Sequence, residues 1–303
     1  MAKRRSPADQ LDRIKRLALA AMFADDTLMN RLVLKGGNAL DLVYNVSMRA
    51  SVDLDFSMPD AFAPGELTVV RGRMEQRLVE VFGDAGFVCF DVELEEKPAV
   101  VSADLAPFWG GYTLTFKLVD TATFDEHAGN FESLRRNAMA VAPGQRRSFE
   151  IDISKHEFIG EKHRAEVEGY TVYVYTPTML ACEKLRAICQ QMPEYGPIVR
   201  RSRPGGGARP RDFLDLCTLL DRCGVDLLKP ASRAMLASVF AAKRVPVEFL
   251  RLVGSTREAH RQDWPAVEQT VRPGTRLEPF DRYFDRVVAL ADQLLAEMKP
   301  GGT

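Results

Sequence analysis

Apolar side chains recur at Leu11, Ile14, Leu17 and Leu19 to Met22, the spacing of one helical face, so residues 7 to 24 are predicted to form a helix docked onto the elements after it. "RLVLKGG" then reads as a short apolar strand stopped by Gly36 and Gly37, and "NALDLVY" as a new helix with Leu40, Val43 and Tyr44 on one face. In "SVDLDFSM" the period changes to two: Val52, Leu54 and Phe56 point one way, Asp53 and Asp55 the other. A helix over 64–84 begins at Pro64 and closes near Gly83 and Gly86. Strands are predicted at 87–96, 112–118 and 147–153. The last alternates as well, with Phe149, Ile151 and Ile153 opposite Glu150 and Asp152. After "TVYVY" (171–175) the texture turns helical, with Thr176-Pro177 as cap and first turn, and the remainder reads as helices and loops alone. The pattern predicts an α+β lobe over 1–170 and a helical lobe over 171–303, with no internal repeat.

Composition narrows the class. The chain has 303 residues, 46% apolar and 27% charged, with a net charge of -1, and no stretch approaches the roughly 18 apolar residues of a membrane span. "MAKRRSPADQ" lacks the apolar core of a signal peptide, so a cytoplasmic location is expected. Five cysteines without a CxxC pair read as reduced, packed thiols, and the four histidines show no HExxH spacing, which speaks against a zinc hydrolase. Charge is unevenly spread: "VRRSRPGGGARPR" (199–211) carries five arginines and no acid, while "DVELEE" (91–96) is strongly acidic. The whole chain is no polycation, but the arginine cluster is a candidate nucleic-acid contact.

Carboxylates at i and i+2 on one strand face repel unless a cation or a proton sits between them. A hard divalent ion, Mg²⁺ or Mn²⁺, suits oxygen ligands, and Asp152 offers a third carboxylate for Asp53 and Asp55. A lone DxD equally describes a solvated sheet face. Gly36-Gly37, between a strand and a helix, allows backbone amides to approach a phosphate, although a tight turn needs glycine whatever binds there. Taken together, a phosphate cradle beside a dicarboxylate describes transfer from a nucleoside triphosphate.

"KGGNAL…RASVDLDF", "EIDI", "VYTPTMLACEKLRA" and "RPRDFLDL", in this order over roughly residues 32 to 220, resemble the AbiEii (MenT) nucleotidyltransferase family, the toxin half of AbiE-type toxin–antitoxin and phage-defence pairs. The resemblance implies a polymerase-β-like nucleotidyltransferase fold, a mixed sheet flanked by helices, with a helical C-terminal lobe completing the cleft. It makes Gly36 and Gly37 the triphosphate turn, Asp53, Asp55 and Asp152 the metal ligands, Lys184 a nucleotide-phosphate contact and Asp212 a polar active-site residue. Arg49 and Ser51 match the arginine and serine before the first aspartate. Asn38 stands where the family usually has Thr or Ser, and its amide is expected to donate to a phosphate oxygen.

Bland readings accompany these roles. Lys184 lies at the edge of an apolar helix face, as a snorkelling lysine does, and Asp212 sits in a first turn where any acid is stabilised. Asp215, one turn on, is a weaker candidate, and Glu150 is expected to face solvent. The implied reaction moves an NMP from an NTP to an acceptor, RNA and specifically a tRNA 3′ end, with Mg²⁺ or Mn²⁺ as cofactor and an antitoxin protein as partner. A non-catalytic nucleotide- or antitoxin-binding module and a metal-dependent nuclease are the competing readings. Arg200, Arg201 and Arg203 are the expected RNA-phosphate contacts unless the loop is only a solvated linker; Arg135, Arg136, Arg146 and Arg147 are the fallback.

Overall fold

The computed structural model describes residues 7–51, 53–140, 146–200 and 206–298. Val52, Arg201 and Arg203 therefore lie outside the described residues. In chain order the elements are α1 (Pro7–Phe23), α2 (Asp26–Arg31), β1 (Val33–Lys35), α3 (Gly36–Asn38) running into a wide π turn (Ala39–Val43), β2 (Leu54–Ser57), α4 (Glu66–Asp84), β3 (Phe87–Lys97) and β4 (Gly111–Asp120). They continue with α5 (Thr121–Glu126), α6 (Phe131–Asn137), β5 (Phe149–Ser154), β6 (Lys162–Val167), β7 (Tyr170–Tyr175), α7 (Pro177–Gln190) and α8 (Pro210–Arg222). Last come α9 (Pro230–Ala242), a 3₁₀ stretch (Val247–Thr256), α10 (Arg257–Gln262), α11 (Trp264–Glu268) and α12 (Phe280–Met298).

Seven strands form one sheet in the order β3-β4-β5-β2-β1-β7-β6. β2 runs parallel to β5 and β1 parallel to β7, and the remaining neighbours are antiparallel. Period-two alternation decides what each face does. Leu54, Phe56, Leu114, Phe116, Ile151 and Ile153 are fully buried, and Phe56 meets Phe23 of α1 while Phe116 meets Phe82 of α4, at ring separations of 5.8 and 5.6 Å. Each such side chain contributes about 1.5–3 kcal/mol by leaving water, so α1 and α4 are held on this face by burial. The opposite face carries the polar partners of the alternation and is roofed by α7 and α8.

Helix α7 starts as the sequence predicts: Thr176 Oγ1 accepts from the Met179 amide at 3.3 Å and Pro177 fills the first turn. Beyond Tyr175 the named elements are all helical. Phe213 of α8 stacks on Phe284 of α12 at 5.0 Å, which ties the end of the chain to the roof. The chain then returns to the sheet: Ala50 N–H donates to Thr270 C=O at 2.9 Å and Arg272 N–H to Met48 C=O at 3.0 Å, clamping residues 48–50. Edge strand β6 carries no alternating apolar pattern: half of its residues are charged, and its only described strand neighbour is β7.

Candidate active site

Register places four side chains in a row across the polar face. Thr113 on β4 pairs with Asp152 on β5, Asp152 with Asp55 on β2, and Asp55 with Lys35 on β1. Directly opposed residues share a face, so two carboxylates meet side by side between a hydroxyl and an ammonium. Asp53 precedes β2 by one residue and is exposed. The glycine turn closes onto this row. Gly36 has φ +70°, and a Cβ on it would lie 2.5 Å from Asp55 Oδ2; on Gly37 it would lie 2.7 Å from Ser51 Oγ. Both glycines are thus needed because carboxylate and hydroxyl occupy the space a side chain would take.

The row lines a cleft of about 560 Å³, whose other wall is α7 and the start of α8. Burial pushes the Asp55 carboxyl up to about 6, with Glu183 and Asp152 adding to the rise and Lys35 and Arg211 opposing it. Neighbouring carboxylates have side-chain counter-ions. Lys97 Nζ lies 3.1 Å from Asp152 and 3.2 Å from Glu150, and Arg146 lies 3.0 Å from Asp53 and 2.9 Å from Glu150. Glu150, expected to face solvent, is instead half-buried and accepts from both cations. Thr113 Oγ1 donates to Asp152 Oδ1 at 2.8 Å. Among the described residues no three His, Cys, Asp or Glu side chains are drawn together tightly enough to cage a metal. The donors nevertheless fit a hard cation that keeps waters and substrate oxygens as ligands: all are carboxylate oxygens, and Asp55 has no ion pair of its own among the described residues.

The roof is a buried charge network. Lys184 is buried, not snorkelling, with Asp215 at 2.7 Å and Asp212 at 3.2 Å. Arg49 grips Asp215 with two hydrogen bonds of 2.7 and 3.2 Å, and Arg209 pairs with Asp212. Burial alone would lower the Lys184 pKa, but Asp215 and Asp212 outweigh it and raise it; burial likewise opposes ionisation of Asp212, and Arg209 and Lys184 hold it below the usual carboxylate range. Three cations share two carboxylates, leaving one positive charge in excess beside the glycine turn. Asp215, the weaker candidate in sequence, is the hub that joins Arg49 to Lys184.

A second network closes the other flank. Glu157 is buried beneath Lys35, Arg186 and Lys243, at 3.3, 3.2 and 3.6 Å. Burial would raise its pKa, yet Arg186, Lys35 and Lys243 bring it down to about 2. Burial in turn lowers Lys243 to about 8.

One expected contact is corrected, and a second residue is placed outside the cleft. Asn38 is fully buried and does not line the cleft: its amide donates to Asp53 C=O at 2.6 Å and accepts from Lys15 Nζ at 3.1 Å, so it holds the loop before β2 in place. Arg200 is 66% exposed, pairs with Asp104 at 2.8 Å and is also absent from the cleft lining. In the same arginine-rich stretch, Arg209 and Arg211 do line it. Arg211 is exposed and has no ion pair among the described residues. The sequence pattern does not single out Lys15, Lys35, Lys97, Glu157, Arg209 or Arg211. Only Lys35, Arg209 and Arg211 carry a signal there, since they lie within the "KGG" and "RPRDFLDL" blocks.

Paired strand carboxylates under a basic roof, with a glycine turn touching one of them, define a nucleotidyltransferase-like site. The family model described as "Nucleotidyl transferase AbiEii toxin, Type IV TA system" matches residues 17–286, and the chain belongs to this family of nucleotidyltransferase toxins. Among solved structures it is similar to MenT4, a nucleotidyltransferase toxin from Mycobacterium tuberculosis H37Rv, at 17% identity and TM-score 0.50, covering 95% of this chain and 84% of that one. JHP933 from Helicobacter pylori shares 13% identity at TM-score 0.48 over 97% and 94% of the two chains. Another H. pylori structure shares 14% at 0.50 over 97% of each. The two likenesses at TM-score 0.50 concern the fold alone. No curated protein matches the chain. No helix among the described residues is long and apolar enough to cross a membrane.

Proposed function

We propose that this toxin moves an NMP from an NTP onto an RNA acceptor, a tRNA 3′ end, in a reaction dependent on Mg²⁺ or Mn²⁺, and that a cognate antitoxin restrains it in the cell. The observation that carries this reading is the in-register row Thr113–Asp152–Asp55–Lys35 with Gly36 packed against Asp55. Asp53, Asp55 and Asp152 would hold the metal, which when bound neutralises phosphate charge and polarises the reacting phosphorus. Gly36, Gly37 and Ser51 line the triphosphate end, and Lys184, Arg209 and Arg211 face the charge that grows on the leaving group. Asp152 takes the proton of the attacking hydroxyl as the new O–P bond forms at the α-phosphorus. The bond from that phosphorus to the bridging oxygen breaks, and pyrophosphate leaves with the electron pair. Arg49 and Asp215 act by positioning Lys184. Lobes 1–170 and 171–303 form the two walls of the cleft.

The test is incubation with each α-labelled NTP, Mg²⁺ and total RNA, followed by locating the label. Label on tRNA, lost in Asp53→Ala and Asp55→Ala variants that melt like folded protein, is the expected result. Wild-type transfer by either variant overturns the carboxylate assignment, and RNA cleavage without pyrophosphate release turns the reading to a nuclease.

A further inference from the structure

The cleft runs along the strands, and its two ends differ in chemistry. From the Asp55–Asp152 pair, one direction leads to Gly36, Gly37, Ser51 and Asp53. The other leads to Ser154, paired with Gly111, and so to Trp109 just ahead of β4. Trp109 stands four residues before Thr113, the partner of Asp152, which is at most about 13 Å along an extended chain, the reach of a ribose and a base from the α-phosphate.

That far end is built rather than incidental. Trp109 is half-buried, and its indole packs on the fully buried Tyr195 at 6.1 Å. Tyr195 is itself fixed, donating to Lys243 C=O at 2.6 Å and accepting from Gln190 Nε2 at 3.4 Å. Gly110, at φ +101°, and Gly111, where a Cβ would lie 2.3 Å from Ile153 C=O, bring the tryptophan loop close against β5. Gln191 follows Gln190, whose carboxamide bonds the Tyr195 that packs on Trp109; it lines the cleft too, and among the described residues its own carboxamide has no hydrogen-bond partner. An aromatic ring and an unused amide lining one cleft suit a flat heterocycle: the ring face stacks, and the amide both donates to and accepts from the heterocycle's edge.

We propose that Trp109 stacks on the nucleobase of the incoming NTP and that Gln191 reads the edge of that base, so that this end of the cleft sets nucleotide preference. The inference rests on the NTP reading above, which fixes the triphosphate at the glycine end. The chain has only two tryptophans, and the other, Trp264, is buried against Phe280 and Tyr283 with its Nε1 donating to Glu268 at 3.0 Å. A Trp264→Phe variant therefore leaves Trp109 as the sole indole emitter. Titrating it with each NTP as an α,β-methylene analogue, with Mg²⁺, should quench its emission, whereas inorganic tripolyphosphate should bind without quenching.

By calorimetry, Trp109→Ala should weaken NTP analogues at least about fivefold, leave tripolyphosphate unchanged, and be largely rescued by Trp109→Tyr. Gln191→Ala should change the ranking of the four analogues. Unaltered NTP affinity in Trp109→Ala with no quenching overturns the inference while leaving the transferase reading standing. An unaltered ranking overturns the assignment of Gln191. Failure of the wild type to bind any analogue or tripolyphosphate overturns both readings together.

Discussion

At Gly36 two requirements coincide: a left-handed backbone at φ +70° and a carboxylate oxygen 2.5 Å from where a Cβ would sit. Gly65 has φ +81° but nothing within 4 Å of the same position, so it provides an internal control. Alanine at either site costs about 1–3 kcal/mol of backbone strain, which thermal melting registers in both. Only Gly36→Ala must also push Asp55 aside, so its NMP transfer should collapse while Gly65→Ala keeps near wild-type transfer. Equal transfer by the two variants would show that the turn tolerates a displaced Asp55.

Asp55 itself carries a pH signature. With its folded pKa raised to about 6 from an ordinary 3.8, the folded state binds more protons than the unfolded chain between these values, so this group's contribution to stability falls as pH rises through the window. Asp55→Asn should therefore melt higher than wild type above pH 6, with the gain vanishing toward pH 4. A constant difference in melting temperature across pH 4–8 would mean that Asp55 is not held near 6.

At the scale of elements, alternation in "SVDLDFSM" and "RSFEIDI" is enough to assign the polar faces of β2 and β5, because a period of two is a local property. Their parallel pairing, which puts Asp55 beside Asp152, is not local: it joins residues nearly a hundred positions apart, and nothing in either strand names its partner. The same holds for Lys97, whose role exists only once β3 is brought to Glu150 and Asp152 of β5, and for Glu157, which meets Lys35, Arg186 and Lys243 from three other stretches. Asn38 differs. Its place beside the glycines is plain in the sequence, but the fold turns its amide inward to Asp53 C=O.

The start of α8 is another contact invisible in sequence. His260 of α10 accepts the Arg209 N–H through Nδ1 at 3.0 Å, so it must be neutral there, and its ring packs at a tilt against Phe213 at 4.8 Å. Burial lowers its pKa from 6.5 to about 4, against weaker upward pulls from Asp212 and Asp263. Between those values the unfolded chain binds more protons, so stability falls as pH drops through the window, by up to about 3 kcal/mol. Replacing it with asparagine keeps an acceptor but removes the titration. His260→Asn should flatten the pH dependence of the melting temperature between 6.5 and 4, and an unchanged slope would assign the acid sensitivity elsewhere.

Across the whole molecule, a net charge of -1 conceals a cleft that gathers cations from six stretches of chain: Lys35, Arg49, Lys97, Lys184 with Arg186, Arg209 with Arg211, and Lys243. These cations are held in two ways. Lys184 is locked between Asp212 and Asp215, whereas Arg211 is exposed with no ion pair among the described residues. Removing Lys184 leaves two buried carboxylates with one arginine each, Arg209 and Arg49, and takes out the excess positive charge of the roof. Lys184→Ala should consequently lose both stability, short of the roughly 3–5 kcal/mol of a fully orphaned buried charge, and NTP binding. Arg211 anchors no ion pair among the described residues, so Arg211→Ala should melt close to wild type yet bind NTP more weakly. Because an exposed cation acts through screened charge, that deficit should shrink as salt rises from about 50 to about 500 mM, while the Lys184→Ala deficit, set by burial, should persist. Melting curves and NTP titrations at the two salt concentrations separate the cases, and a salt-independent deficit in Arg211→Ala would place its guanidinium in a direct, desolvated contact with the triphosphate.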